Sequence, residues 1–210
     1  MITIPPNIED QVLRKWLFSV YQDLIGQDSD TFQPFYLRNK PYIPSLIQRL
    51  GTETYVYSLV SLGGGVALAG TYPTGQIYKS TDSGATWSLI QRLGTETYVY
   101  SLVSLGGGVA LAGTYPTGQI YKSTDSGATW SLIQRLGTEA YVLSLASLGG
   151  GVVLAGTGPT GQIYKSTDSG ATWSLIQRLG TEAHVLSLAS LGGGVVLAGT
   201  GPTGQIYRYL

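Results

Sequence analysis

The sequence predicts an all-β chain of stacked repeats, on three observations. Residues 51–93 recur letter for letter at 94–136, with a few changes at 137–179 and in part at 180–210, a period of 43 residues. Each unit holds four short apolar runs rich in β-branched and aromatic residues, separated by turn signals built on Gly and Pro. Four antiparallel strands in a unit of this size make one β-propeller blade, which cannot bury its own apolar face and must stack on its neighbours. The expected architecture is a β-propeller of four blades per chain, preceded by one N-terminal α-helix and an extended arm.

The N-terminal region comes first, as a domain over 1–44. Residues 7–25 read as a helix, with Asn7 as cap, Glu9 and Asp10 at the positive end of the dipole and Gly26 as the stop. Leu13, Leu17, Val20 and Leu24 follow the spacing of a coiled-coil seam, which Trp16 widens. A helix this short is marginal alone in water. It either lies on the body or associates with copies of itself, and the seam residues are the oligomerisation candidates. Residues 27–44 carry three prolines and no periodicity, and read as the arm.

The second domain, 45–210, holds the blades. In the first unit the four strands are expected at 55–62, 66–72, 75–81 and 86–93, bounded by GGG, YPTG and DSGA. Residues 45–50, SLIQRL, repeat a fourth strand without the three that should precede it. The last unit, through QIYRYL at 205–210, has three strands and no fourth. The two fragments complement each other, which predicts latch closure: the N-terminal strand completes the C-terminal blade and removes an open edge. Closure within one chain gives a four-bladed ring, the preferred reading because it costs no association entropy. Closure head-to-tail between chains gives a multiple of four blades.

Substitutions among the units bear on register. Val60 and Ala67 become Ala146 and Val153, then Ala189 and Val196. With Gly63-Gly64 as a two-residue turn, residues 60 and 67 are expected opposite each other, and the exchange conserves volume.

Composition narrows the function. Net charge is zero and charged residues make up 11%, so nothing steers the chain to nucleic acid or an anionic surface. There is no Cys and one His, His184, which removes thiolate and His-cluster metal sites within one chain; no metal and no cofactor is expected. The N-terminus lacks a basic and apolar leader pattern, so no signal peptide is expected. The apolar stretch 8–25 carries five charged residues, which argues against membrane insertion. Identical repeats supply copies of the same groups, whereas catalysis needs different groups converging on one substrate.

The motif STDSGATW stands at 80–87, 123–130 and 166–173. It resembles the Asp-box, or BNR, repeat of sialidase-like β-propellers. The resemblance covers the body and implies that each box forms the hairpin between the third and fourth strands as a structural element. The residue chemistry agrees. Asp82, Asp125 and Asp168 can accept bonds from turn N–H groups. Gly84, Gly127 and Gly170 supply a backbone conformation other residues resist. Trp87, Trp130 and Trp173 can bury a large face between blades. Pro44 stands where the first fragment should have Trp. Sialidase chemistry would need an arginine cluster, a Tyr nucleophile and an acid Asp from different blades. Here Arg49, Arg92, Arg135 and Arg178 all fall on outer strands and the Asp residues of the body fall in the boxes, so no catalytic residue is assigned.

The face bearing the 51–54 and 72–75 loops and their repeats is the expected binding face. Its candidates are Tyr72 and Tyr115, able to stack on a sugar ring, with Glu53 and Glu96. The structural alternative is packing of the Tyr-bearing turns on the neighbouring blade. Glu53, Glu96, Glu139 and Glu182 are expected as solvated loop carboxylates. Gly158 and Gly201 replace Tyr in the last two units, and His184 replaces Tyr141.

The N-terminal segment, with Pro5-Pro6, Ile8-Glu9-Asp10 and Leu13-Arg14-Lys15-Trp16-Leu17, is similar to short assembly helices that open some bacteriophage virion and tail-fibre proteins. The expected function is thus a non-enzymatic structural or receptor-binding component of a phage virion. Its expected partners are further copies of itself (a trimer through the helix), other virion proteins and host surface glycan. The alternatives are a lectin-like or scaffold propeller of cellular or designed origin, and a degenerate glycoside hydrolase.

Overall fold

The computed structural model describes residues 46–209. The helix and arm expected over 1–44, and Leu13, Trp16, Leu17, Val20 and Leu24 with them, lie outside the described residues. The first blade holds β1 (Tyr55–Gly63), β2 (Val66–Tyr72), β3 (Gln76–Ser80) and β4 (Ser88–Arg92). The second holds β5 (Tyr98–Gly106), β6 (Val109–Tyr115), β7 (Gln119–Ser123) and β8 (Ser131–Arg135). The third holds β9 (Tyr141–Gly149), β10 (Val152–Gly158), β11 (Gln162–Ser166) and β12 (Ser174–Arg178). The fourth holds β13 (His184–Gly192), β14 (Val195–Gly201) and β15 (Ile206–Tyr209). Each is an antiparallel meander in chain order. The sheets approach one another mainly along their first strands, β1 on β5, β5 on β9 and β9 on β13. First strands are therefore innermost.

The core lies between blades, not within them. One buried cluster joins Leu68, Ile77 and Leu93 of the first blade to Val99, Ala110, Ala112, Tyr121 and Trp130 of the second. The next joins Leu111, Ile120 and Leu136 to Val142, Val153, Ala155, Tyr164 and Trp173. A third joins Leu154, Ile163 and Leu179 to Val185, Val196 and Ala198. Each fully buried Leu, Ile or Val contributes about 1.5–3 kcal/mol, so most of the stability resides in these seams. Glycine sets their spacing. A Cβ at Gly70 would stand 2.5 Å from a methyl of Val99, and one at Gly113 would stand 2.5 Å from Val142.

Two expectations are corrected. Residues 60 and 67 do not face each other: Val60 pairs with Leu68 and Ser61 with Ala67. The tight turn is Gly64-Gly65, flanked by Gly63 opposite Val66, and a register shift between Ser61 and Gly63 leaves Leu62 extra. Neighbouring strand residues point to opposite faces, so residues 60 and 67 lie on different sides of the blade. Val60 instead packs on the seam that contains Ala110 of the next blade. The volume-conserving exchange within one blade is overturned.

Among the described residues the latch does not close. The fourth sheet has three strands, and none pairs with the outer edge of β15. The segment 46–50 packs on the first blade, where Leu50 meets Ala69, Tyr78 and Trp87 as Leu93 meets the equivalent residues of the second. It does not also pair with the fourth blade, because β1 packs on β5 and has no comparable packing on β13.

The seams predict a sharp contrast in stability. Trp130→Ala, which empties the first seam, is expected to cost about 3–5 kcal/mol in urea unfolding. Ser131→Ala, one residue on and exposed, is expected to change stability by less than about 0.5 kcal/mol.

Candidate functional site

The Asp boxes form closed hydrogen-bond circuits. Asp82 Oδ1 accepts the Thr86 N–H at 2.9 Å and the Ser80 hydroxyl at 2.7 Å, while Oδ2 accepts the Thr86 hydroxyl at 2.6 Å. Ser80 Oγ in turn accepts the Gly84 N–H at 2.9 Å. Asp125 and Asp168 repeat this with Thr129 and Thr172. The turn requires left-handed backbone at Ser83 (φ 59°) and Gly84 (φ 88°). The boxes are thus saturated fold elements, exposed at the blade rim, with no lone pairs organised toward a substrate.

The carboxylates of the opposite face are also committed. Glu96 and Glu139 are fully buried, and Glu53 and Glu182 nearly so. Each accepts both the backbone N–H and the hydroxyl of a Thr in its own blade's turn: Glu53 from Thr74, Glu96 from Thr117, Glu139 from Thr160 and Glu182 from Thr203. They are turn fasteners, not the solvated ring expected from their loop position. The sequence did not reveal this, because the Thr partner sits 21 residues downstream of its Glu.

A further pairing was invisible in the sequence. Gln48, Gln91 and Gln134 each reach across a seam and grip the backbone of the next blade's Trp. Gln91 accepts the Trp130 N–H at 3.1 Å and donates to its carbonyl at 3.0 Å. Gln48 does the same to Trp87 at 2.9 Å and 2.9 Å. The only signal was a constant separation of 39 residues.

What remains is aromatic. Tyr55, Tyr57, Tyr72, Tyr98, Tyr100, Tyr115 and Tyr141 form one continuous row at the start of the inner strands, and His184 extends it at 5.8 Å from Tyr141. Tyr72 stacks on Tyr98 with centroids 4.0 Å apart, and Tyr115 on Tyr141 at 4.6 Å. The two turn tyrosines are therefore covered on one face by the next blade, and Glu53 and Glu96 do not join them. Tyr55 and Tyr57, at 58% and 44% exposure, present the open rings. Their ring centroids lie 5.6 Å apart. At Gly158, where the first two blades carry Tyr72 and Tyr115, a Cβ would lie 2.5 Å from His184 Cδ2 as that side chain stands. Burial first, then its tyrosine neighbours, push the Tyr100 phenol up to about 12. The row offers ring faces with hydroxyl donors and acceptors.

No protein-family model matches the chain, and no curated protein matches it. Solved structures do. The chain is similar to YCF48 from Cyanidioschyzon merolae, with 17% identity and a TM-score of 0.60, over 77% of this chain and 55% of that one. It is similar to YCF48 bound to D1 peptide, with 19% identity and a TM-score of 0.56, over 80% and 57%. RRP9 WD40 repeats match with 13% identity and a TM-score of 0.53, over 70% and 47%. At these identities the likeness establishes the fold. The described residues form an all-β assembly of propeller-like blades, similar to YCF48, a BNR-like propeller, and to WD40 propellers. It spans little more than half the length of the YCF48 chains it matches.

The box geometry predicts a pH response. Hydrogen bonds from Thr, then from Ser, hold the Asp82 and Asp125 carboxyls at about 2 and lower Asp168 as well, against an ordinary value of 3.8. A depressed folded value stabilises above the unfolded value and is lost as pH falls through the folded one. Melting temperature is therefore expected to fall between about pH 4 and pH 2. A variant with Asp82→Asn, Asp125→Asn and Asp168→Asn is expected to melt lower at pH 7 and to decline less steeply over that range.

Proposed function

We propose that this chain is a non-enzymatic recognition component of a bacteriophage virion, of tail or fibre type, whose blades bind host surface glycan through the tyrosine row. The observation that carries the reading is the row itself: seven tyrosine rings in continuous contact along three blades, each bearing a hydroxyl beside its face. Sugars offer a C–H face for stacking and hydroxyls for bonding, and tyrosine supplies both complements. The commitment of the box aspartates and the buried glutamates to local hydrogen bonds supports a binding role over glycoside hydrolysis. The similarity of the N-terminal segment to phage assembly helices supplies the virion setting. In that setting Leu13, Trp16, Leu17, Val20 and Leu24 would gather copies, a trimer being the favoured state, and multiply weak sugar contacts by avidity.

A glycan array tests the reading. The intact chain is expected to retain a defined set of glycans. Tyr57→Ala is expected to weaken that signal at least tenfold while leaving the melting temperature within a few degrees. A blank array, or binding indifferent to Tyr55→Ala and Tyr57→Ala together, rejects the sugar site and leaves a scaffold. Turnover of a fluorogenic sialoside rejects the non-enzymatic assignment.

A further inference from the structure

The two ends of the blade array are unfinished halves of one seam. In the internal seams Val99, Val142 and Val185 are fully buried, whereas their counterpart Val56 is 49% exposed. Leu102 is 8% exposed and its counterpart Leu59 is 67%. At the other end Ile77, Ile120 and Ile163 are fully buried, whereas Ile206 is 77% exposed. Leu62, Leu105 and Leu148 pack on the following blade's cluster, whereas Leu191 is 63% exposed. Each of these four positions is one that an adjacent blade covers elsewhere in the same chain. The first blade presents the receiving half of the seam and the fourth presents the donating half.

The segment 46–50 belongs to the same seam. Leu50 and Gln48 hold on the first blade the contacts that Leu93 and Gln91 hold on the second, with Trp87 in place of Trp130. The segment thus occupies the fourth-strand place of a blade that the first blade lacks. The fourth blade, with the unpaired edge of β15, is the complementary piece. Gly84 completes the match. A Cβ at Gly127 would meet Leu68 of the preceding blade and one at Gly170 would meet Leu111, but nothing lies within 4 Å of Gly84. The missing neighbour is a leucine equivalent to Leu197.

We propose that two copies of this chain close head-to-tail into one ring of eight blades. Each copy's 46–50 segment adds to β15 of the other as a fourth strand. The occupant is a second copy because only the repeat itself carries the residues that the internal seams define. Two copies are the fewest whose ends can meet, because within one chain β1 packs on β5 and has no comparable packing on β13. The register follows from the internal sheets, where Gln76 pairs with Arg92 and Ile77 with Gln91. Gln205 therefore pairs with Arg49 of the second copy, and Ile206 with Gln48 of the second copy. Two such junctions related by a two-fold axis pair the free edge of each β15 and cover both exposed halves of the seam.

Cross-linking tests the ring on the full chain, which has no cysteine of its own. Arg49 and Gln205 are both exposed, and directly opposed antiparallel residues are close enough for a disulfide. Arg49→Cys with Gln205→Cys is expected, on mild oxidation, to yield a species of two chains on a non-reducing denaturing gel. Each single variant is expected to yield no such species. A bridge within one chain overturns the proposal in favour of a four-bladed ring, and a ladder of three or more chains overturns the two-copy closure. Absence of any bridge also overturns it, provided the melting temperature of the double variant matches the parent. Ile206→Asp gives an independent reading: native mass is expected to fall twofold with circular dichroism unchanged, and an unchanged mass overturns the proposal.

Discussion

Everything in this molecule depends on the burial of one blade's face against the next. A four-stranded meander of this length exposes two apolar faces, and no hydrogen bonding within the sheet removes them from water. The seams do so by a fixed exchange. Each blade gives Leu and Ile from its second and third strands and the Leu that follows its fourth, and receives against Val, then Ala or Val, then Ala, Tyr and Trp. Gly at the centre of the second strand lets the sheets come close enough for these groups to touch. The Asp box then serves the seam: its circuit of Ser, Asp and Thr sets the hairpin that delivers Trp to the interface.

The polar residues follow from the same constraint. A tightly stacked array leaves little room for loops, so the turns on one face are fastened from inside by Glu–Thr pairs. The Gln grip on the Trp backbone crosses the seam where two sheets would otherwise leave an N–H and a carbonyl unpaired. These bonds hold the buried carboxylates on turn groups and the Gln amides on the Trp backbone. The tyrosine row is the exception, since aromatic groups at the inner strand starts can pack on one another and still present edges and faces outward.

Much of this was legible in the chain. Exact repetition set the blade length, and GGG, YPTG and DSGA marked the turns, so the strand ranges differ from the expected ones by one or two residues. The boxes were legible because their chemistry is local: Ser80, Asp82, Gly84 and Thr86 bond within five residues of one another. The hairpin register was not. Three consecutive glycines permit more than one two-residue turn, and packing against the next blade selected Gly64-Gly65 with a bulge. The tyrosine row was half legible. Tyr72 and Tyr115 stood out as turn aromatics, but their stacking on Tyr98 and Tyr141 joins residues of different blades.

By itself the sequence determined the unit: its four strands, its hairpins and the apolar faces that demand neighbours. Those properties arise from local dihedral preferences and from alternation along each strand, which a repeat writes out several times over. Tertiary structure alone decided how units meet: which Glu is buried, which Tyr is open, and where 46–50 lies. Those outcomes depend on distances between residues some 40 positions apart, set by the approach of one rigid sheet to the next. Identical units also carry no mark of which neighbour is theirs. Only the packed structure shows that, among the described residues, β1 lies on β5 and has no comparable packing on β13.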